Sequence, residues 1–416
     1  MSTDKLAVNG GQPVRETAFP HRRPFGLRDA SEVLEALENQ NLFFATGEKV
    51  YAFENAFSQL YGGRPAVAST SGTSAIHVAL GAINPEPGQE VITSPISDMG
   101  TVAPIVLQNC IPVFADVQLE TFNLDPQSVA DRITDRTAAI ILVHCWGQPA
   151  DTDKILEVAA ERDIPVIEDC SQVHRTRYKG KLAGTMGRCG TFSLQSSKHL
   201  QCGDGGLTIV NDPELAERAH LFTDKGCDWT EDRSYRLRYA FFAPCYRMTE
   251  LQGAVACAQL ENLADIVRRR QRLGDMLVDR LQGIPGVYPP PRPSDREHSY
   301  WNFPLRIVED EAGVDAATFN DALAAEGIPT GGNWIGKTLY EFESMREKIT
   351  YGSSGYPLNG TADGRPIEYG PGLCPTAERA MHQLQVISFH EDYTEREIED
   401  AAEAVRKVAA AYRSES

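Results

Sequence analysis

The 416-residue sequence has no uninterrupted apolar run of the roughly 18 residues that a membrane-spanning helix needs. Its first residues, MSTDKLAVNGGQPVRE, also lack an apolar stretch of signal-peptide length. These two absences predict a cytoplasmic protein that does not act at a membrane.

The chain has no excess of basic residues, because 40 Lys and Arg stand against 58 Asp and Glu and give a formal net charge of −18. The only tight basic run, 268–270, lies on a helical pattern and is typical of a solvated face. The nine cysteines include no C-x-x-C pair and no clustered metal ligands. The sequence therefore predicts neither nucleic-acid binding nor a zinc site.

What the chain does have is a regular alternation of strand-like and helical patterns. The strand-like runs PAVAST, EVITSP, IPVFADV, TAAIILVHC and IPVIEDC are each followed by a helix-length segment with helical spacing or composition, except the last. Alternation of this kind predicts parallel β-α-β units and a sheet covered by helices on both faces. The fold class is therefore α/β.

The pattern changes after Met248, where a long helical stretch precedes the proline-rich VYPPPRP, residues 287–293. Beyond it, SYWNFPLRIV reads as a strand, and DAATFNDALAAEG and the C-terminal TEREIEDAAEAVRKVAAAY read as helices. We predict a large domain over residues 1–255, with an N-terminal arm, and a smaller α+β domain over residues 256–416.

The stretch STSGTSAIHVAL, Ser69 to Leu80, places small and hydroxyl residues where a strand ends and a helix starts. Free N–H groups and the helix dipole attract a phosphate at such a point, and Thr73 and Ser74 add hydroxyls. Ordinary helix capping by serine or threonine explains the same pattern.

Acidic residues end the strand-like run IPVIEDCSQVH. Glu168 and Asp169 lie at its carboxyl end, which is where ligands bind in open α/β sheets, and Gln172 follows. Many acids in such positions only form turns, so this signal leaves both interpretations open.

The stretch TFSLQSSKHLQCGDGG sets a single lysine, Lys198, between a strand-like run containing Ser193 and a glycine cluster. A lysine on a solvated loop is the ordinary interpretation. Together, however, the three stretches place a phosphate cradle, a carboxylate and a lysine at one edge of one sheet. Pyridoxal phosphate requires these groups, because a lysine amine forms a Schiff base with its aldehyde and a carboxylate keeps its ring nitrogen protonated.

With these residues in view, the sequence closely resembles the DegT/DnrJ/EryC1/StrS family of sugar and cyclitol aminotransferases. The resemblance rests on SGTSAIHVAL, IPVIEDCSQ, GTFSLQSSKHLQCGDGGLTIVND and YRMTELQGAVACAQL, and covers nearly the whole chain. The segments LAVNGGQPVR and SLQSSK look most like the branch that acts on keto-cyclitols such as scyllo-inosose. The resemblance implies a fold type I pyridoxal-phosphate transferase with a mostly parallel central sheet.

The resemblance also implies a role for each candidate residue. Lys198 and Asp169 would be catalytic, as the Schiff-base lysine and the partner of the ring nitrogen. The cofactor-binding residues would be Thr73, Ser74, Asp169, Gln172, Ser193 and Lys198. The expected reaction moves an amino group from glutamine or glutamate to a keto-cyclitol or keto-sugar in aminocyclitol or amino-sugar biosynthesis, in a homodimer with shared active sites.

Two positions depart from the family pattern. Asp98 lies where the family usually has an aromatic residue over the cofactor ring, and Cys245 replaces an asparagine that reaches the neighbouring subunit's phosphate. These changes keep two alternatives open: another pyridoxal-phosphate reaction such as elimination, epimerisation or an oxidative step, and a cofactor-binding regulator without turnover.

The stretch GGNWIGKT, Gly331 to Thr338, fits the phosphate-loop pattern G-x-x-x-x-G-K-[ST]. No strand-like run precedes it, so we do not predict a nucleotide site there. The resemblance places this segment near the substrate pocket, where Asn333 or Trp334 could contact the substrate.

Overall fold

The structure is a computed structural model that describes residues 5–228, 238–360 and 368–415. The strands, in chain order, are β1 Ala66–Ser69, β2 Glu90–Thr93, β3 Ile111–Phe114, β4 Thr137–Val143, β5 Val166–Asp169, β6 Arg177–Tyr178, β7 Lys181–Leu182, β8 Cys189–Ser193, β9 Gly206–Val210, β10 Cys227–Asp228, β11 Arg238–Tyr239, β12 Val287–Tyr288, β13 Phe303–Ile307 and β14 Leu384–Ile387.

The helices cover the sheet and build the C-terminal part of the molecule. In chain order they are α1 Leu27–Glu38, α2 Lys49–Leu60, α3 Gly72–Ile83, α4 Met99–Leu107, α5 Pro126–Arg132, α6 Thr152–Ala160, α7 Pro213–Phe222, α8 Glu250–Leu281, α9 Glu309–Ala312, α10 Ala316–Ala325, α11 Glu343–Arg346, α12 Pro375–Gln383 and α13 Glu395–Glu415. None of the helices in the described part of the chain has the length and apolar character to cross a membrane.

Within the described residues the main sheet has seven strands in the order β1-β9-β8-β5-β4-β2-β3. The neighbours from β8 to β3 pair in parallel, and β9 runs antiparallel to both β8 and β1. The prediction of a mostly parallel sheet covered by helices is confirmed. The one antiparallel strand arises because the connection from β8 to β9 contains no crossover helix, and a direct return of this kind pairs strands in opposite directions.

The sheet is buried on both faces, as its apolar strands predict. Residues 139–143, the AIILV part of β4, are almost completely inaccessible to water. Parallel sheets covered by helices on both sides need such continuous apolar strands, because no face meets solvent. The carboxyl ends of β2, β4, β5 and β8 consequently meet at one protected edge.

A second, three-stranded antiparallel sheet, β12-β13-β14, packs with α10 and α13 in the C-terminal part of the chain. The predicted strand SYWNFPLRIV forms only over its second half, because Tyr300 adopts a left-handed backbone conformation, with φ of 48°, before β13 begins. The long helix α8 runs unbroken from the main sheet to this region and crosses residue 255 in its first turns. The division into two domains at that residue stays a prediction.

The N-terminal arm, residues 5–26, packs against the C-terminal part of the chain. Leu6 lies in the same apolar cluster as α10 and α13, and the Glu326 carboxylate accepts hydrogen bonds from the backbone N–H groups of Ala7 and Val14. Arg15 forms ion pairs with Glu397 at 2.8 Å and Asp400 at 2.6 Å. The first and last segments of the chain therefore form one packed unit.

One buried carboxylate joins two helices that are far apart in sequence. Glu250, the first residue of α8, accepts hydrogen bonds from the backbone N–H groups of Glu48, Lys49 and Val50 at 2.8, 2.7 and 3.1 Å. These groups belong to the first turn of α2, which has no capping side chain of its own. A carboxylate at this position also interacts favourably with the helix dipole.

We predict that Glu250→Ala destabilises the protein by about 2–4 kcal/mol, because three N–H groups, two of them buried, lose a charged acceptor. Urea denaturation measures the free energy of unfolding. Glu261→Ala is a matched control on the exposed face of the same helix and should cost less than about 0.5 kcal/mol. Equal losses for the two variants would contradict this role of Glu250.

Candidate active site

A cavity of about 400 Å³ opens at the carboxyl edge of the main sheet. Five of the six predicted cofactor-binding residues line it: Thr73, Asp169, Gln172, Ser193 and Lys198. Thr73, Asp169 and Ser193 lie on α3, β5 and β8, and the other two follow β5 and β8, so the topology brings together segments that are distant in the sequence. The structure does not place the sixth predicted residue, Ser74, on the cavity wall described here.

The N-terminus of α3 forms one wall of the cavity. The Ser71 and Ser74 side chains cap the helix reciprocally: Ser74 N–H donates to Ser71 Oγ at 3.0 Å, and Ser71 N–H donates to Ser74 Oγ at 2.8 Å. Within the described residues, the N–H groups of Gly72 and Thr73 at the cavity have no protein acceptor. Capping and an anion cradle are therefore both present, on different residues of the same turn.

Two glycines allow the segments that form this wall to pack closely together. A Cβ atom at Gly72 would lie 2.7 Å from Ser193 Cβ, and one at Gly206 would lie 1.9 Å from the Ser71 carbonyl oxygen. Real side chains do not tolerate such distances, so β8, β9 and the start of α3 approach each other only because these positions lack side chains. The close approach brings the Ser193 side chain to the α3 N-terminus.

The two acids at the end of β5 face opposite sides of the sheet, as successive strand residues do. Asp169 points into the cavity, where its carboxylate accepts hydrogen bonds from Thr101 Oγ1 at 3.1 Å and Ser171 N–H at 3.1 Å. Asp169 is only 4% exposed. It therefore presents a fixed, largely desolvated carboxylate to the cavity.

Glu168 has a structural role. Its carboxylate accepts hydrogen bonds from the backbone N–H groups of Gly184, Met186 and Gly187, and from His144 Nε2. Ala150 N–H donates to His144 Nδ1, which places the ring proton on Nε2. These bonds hold the pKa of the buried Glu168 carboxyl below its ordinary value despite desolvation.

Lys198 lies in the lysine loop, residues 194–205, between β8 and β9. Its Nζ atom is 3.7 Å from the centre of the Trp301 ring, a cation–π distance. Desolvation by the surrounding protein lowers the pKa of the amine to about 8, although the carboxylates of Asp169 and Asp98 act in the opposite direction. A lysine amine that loses its proton near neutral pH is suited to nucleophilic and proton-transfer chemistry.

A backbone N–H group from the segment after β4 fixes the Gln172 side chain. Its Oε1 atom accepts a hydrogen bond from Trp146 N–H at 2.6 Å. The side-chain amide nitrogen remains available as a donor toward the cavity that Gln172 lines.

Sequence reasoning missed Trp301, which lines the cavity together with Trp334. Trp301 was included in a predicted strand, and no local pattern marks an aromatic residue that reaches a cavity from a distant turn. Within the described chain the segment Gly331–Thr338 forms turns with no strand directly before it, and its Trp334 lies in the cavity wall.

The two departures from the family pattern have different positions. Asp98 lines the cavity and caps α4, with its Oδ1 atom accepting a hydrogen bond from Gly100 N–H at 2.7 Å. Cys245 is exposed, lies outside the cavity wall and is 3.9 Å from Asp224 Oδ1. Of these two residues, only Asp98 is therefore placed to affect a molecule bound in the cavity.

The model of the DegT/DnrJ/EryC1/StrS aminotransferase family matches residues 26–358. The chain belongs to this family, and it is an aminotransferase.

The chain is similar to two curated relatives and to one solved structure whose activities are named. A Streptoalloteichus tenebrarius protein provisionally named L-glutamine:3-amino-2,3-dideoxy-scyllo-inosose aminotransferase is 32% identical over 98% of each chain. The L-glutamine:2-deoxy-scyllo-inosose aminotransferase of Micromonospora echinospora is 34% identical over 77% of this chain and 79% of its own. The X-ray structure of the aminotransferase from Psychrobacter cryohalolentis superposes with a TM-score of 0.84 at 25% identity, over 95% of this chain and all of the other.

We predict that an amine-acylating reagent labels Lys198 with a pH midpoint near 8, because only the neutral amine reacts. Exposed lysines should show midpoints near the ordinary lysine pKa of about 10.4. Mass spectrometry of peptides labelled across pH 6–11 compares them within one sample. A midpoint above 10 for Lys198 would contradict the desolvated position of its amine.

Proposed function

We propose that this aminotransferase uses pyridoxal phosphate to move an amino group from glutamine or glutamate to the ketone of a cyclitol or sugar, in aminocyclitol or amino-sugar biosynthesis. The observation that carries the proposal is the convergence of Lys198, Asp169 and the α3 N-terminus on one cavity. The scyllo-inosose ketones named for the relatives make a keto-cyclitol the favoured acceptor.

The residues fit this cofactor. The free N–H groups of Gly72 and Thr73, with the hydroxyls of Thr73 and Ser193, suit the phosphate group. Asp169 suits a protonated ring nitrogen, and Lys198 suits the aldehyde. Bound pyridoxal phosphate would supply an electron-withdrawing ring that makes the Cα proton of an amino-acid donor acidic.

The protein's own part in the reaction is to hold charge and to move a proton. The Asp169 carboxylate, held by Thr101 and Ser171, keeps a negative charge at the ring. The Lys198 amine, neutral above pH about 8, accepts the donor's Cα proton and returns a proton to the carbon of the acceptor ketone in the reverse half-reaction. Gln172 and Ser193 orient the ring and its phosphate.

The proposal also includes a homodimer that shares its active sites, and a cytoplasmic location. The family resemblance supports the dimer, and the location stays a prediction from the sequence. Analytical ultracentrifugation, together with mixing of Lys198 and Cys245 variants, measures both assembly and sharing of the sites.

The donor half-reaction can be followed through the visible absorption of the cofactor. Glutamine or glutamate added to the cofactor-loaded protein should bleach the visible absorption band and release one keto acid per site. Asp169→Asn should slow this step by about 10²-fold or more, because the ring proton loses its charged partner.

Lys198→Ala is the control for that experiment and should give neither the band nor the keto acid. A stable band with no response to any amino donor would contradict transamination and favour another pyridoxal-phosphate reaction. Ligand binding without a change in the cofactor would instead favour a regulator.

The position of Asp98 restricts the class of acceptor ketone that we propose. Only its Oδ1 atom is used in capping α4; within the described chain its Oδ2 atom has no protein donor. The cavity wall also includes the indoles of Trp301 and Trp334, and the Lys198 amine lies 3.7 Å from the centre of the Trp301 ring. A carboxylate with aromatic walls favours an organic cation, so the proposed acceptor is a keto-cyclitol that carries an ammonium group.

We predict that Asp98→Asn lowers kcat/KM for an amino-bearing keto-cyclitol about three- to tenfold and leaves a neutral deoxy-keto-cyclitol unchanged. Asparagine keeps the helix cap, so the fold is preserved. Steady-state kinetics with the two ketones measure the difference. Equal losses for both ketones would contradict charge recognition by Asp98.

A further inference from the structure

Arg22 of the N-terminal arm contacts the lysine loop directly. Its Nη1 atom donates to the Ser196 carbonyl at 3.0 Å, and its Nη2 atom donates to the His199 carbonyl at 3.3 Å. These two residues lie on either side of Lys198. A side chain from the first 25 residues of the chain thus holds the backbone on both sides of the reactive lysine.

The same arginine is anchored by a buried carboxylate. Arg22 Nε donates to Glu391 Oε1 at 2.7 Å, and Arg270 Nε of α8 donates to Glu391 Oε2 at 2.8 Å. The bridging pair of cations holds the pKa of the Glu391 carboxyl at about 2. Each oxygen of one carboxylate therefore binds a different arginine.

Arg270 binds the backbone of the turn that contacts Lys198 from the other side. Its side chain is 1% exposed, and its Nη1 atom donates to the carbonyls of Tyr300, Trp301 and Phe389 at 3.0, 2.9 and 3.1 Å. Burial lowers the pKa of this guanidinium to about 10, which leaves it charged at neutral pH. The arginine fixes the turn from which Trp301 reaches the cavity.

Trp301 closes a ring of contacts around Lys198. Its Nε1–H group donates to the Ser197 carbonyl at 3.1 Å, and its ring lies 3.7 Å from Lys198 Nζ. His199 Nε2–H also donates to the Ser299 carbonyl at 3.0 Å. The lysine loop is thus bound both to the arm and to the turn before β13.

We propose that Arg22, Glu391 and Arg270 form a positioning clamp that holds the Lys198 amine at the cavity and out of bulk water. The clamp rests on the proposed function, because it orients the lysine that this function uses. None of the three residues lines the cavity, so they act through the lysine loop and Trp301.

The loop needs such a clamp because its central residues have little packing of their own. Gln195, Ser196 and Ser197 are exposed, whereas Leu194 before them and residues 199–201 after Lys198 are buried. A loop tip with few buried contacts is mobile unless other groups bind it. Charged hydrogen bonds to its carbonyls supply the missing constraint.

The charged and titratable groups that face Lys198 are Asp169 at the end of β5, Asp98 at the start of α4 and the buried His174. Burial lowers the pKa of His174 to about 3, so this ring is neutral. The charge of Arg22 is not among those that shift the pKa of the Lys198 amine. Substitution of Arg22 is instead expected to expose this amine to water. Release into water should therefore raise the pKa of Lys198 toward the ordinary lysine value.

The test is the rate at which the full chain, freed of cofactor, captures added pyridoxal phosphate at Lys198, measured across pH 6–10. Absorbance follows the capture, and borohydride trapping with peptide mass spectrometry identifies the lysine. Arg22→Met should raise the pH midpoint by about one unit and slow capture at pH 7.5 about eightfold, as the neutral fraction of the amine falls. Arg22→Lys keeps a positive charge that can pair with Glu391, but a lysine cannot reach both the Ser196 and His199 carbonyls. This variant should shift the midpoint in the same direction.

Arg28→Met is the matched control, because Arg28 pairs with Glu32 and Glu261 away from the cavity, and it should leave the midpoint unchanged. A lower melting temperature for Arg22→Met with an unchanged midpoint would overturn the clamp and assign Arg22 a purely structural role. Failure of the unmodified protein to capture the cofactor at Lys198 would overturn the proposed function, and the clamp with it.

Discussion

The direct return of the chain from β8 to β9 is the constraint on which the site depends. Because no helix intervenes, the two strands pair antiparallel, and their connection must stay at the carboxyl edge of the sheet. Parallel packing delivers Asp169 and the α3 N-terminus to the same edge. The meeting of lysine, carboxylate and anion cradle is therefore a result of topology, and Gly72 and Gly206 let the three segments approach closely enough to share a cavity.

Local patterns in the sequence predict the parts of this arrangement that depend on short segments. Strand ends place Asp169 and Ser193, and the small residues before α3 indicate the cradle. The same reasoning could not separate Ser74, which completes a helix cap, from Thr73, which faces the cavity, because the two hydroxyls differ only in their angle around the first turn. The family resemblance assigns their roles without distinguishing their positions.

The parts that sequence reasoning missed depend on long-range contacts. Trp301 reaches the cavity because Tyr300 has a left-handed backbone and Arg270 binds the carbonyls of that turn. Nothing near residue 301 in the sequence reports either condition. The antiparallel direction of β9 was likewise not predicted, since the apolar run GLTIV is equally compatible with both directions.

The contacts of the arm have a consequence for how the site assembles. Glu391 and α13 lie far along the chain from the arm, yet they anchor its Arg22 and Arg15 side chains. The contact between Arg22 and Glu391 joins residues 369 positions apart, so it forms only when two distant segments of the chain have come together. The backbone around the reactive lysine is therefore held by some of the least local contacts of the molecule, whereas the strands of the sheet beneath it pair over shorter separations along the chain.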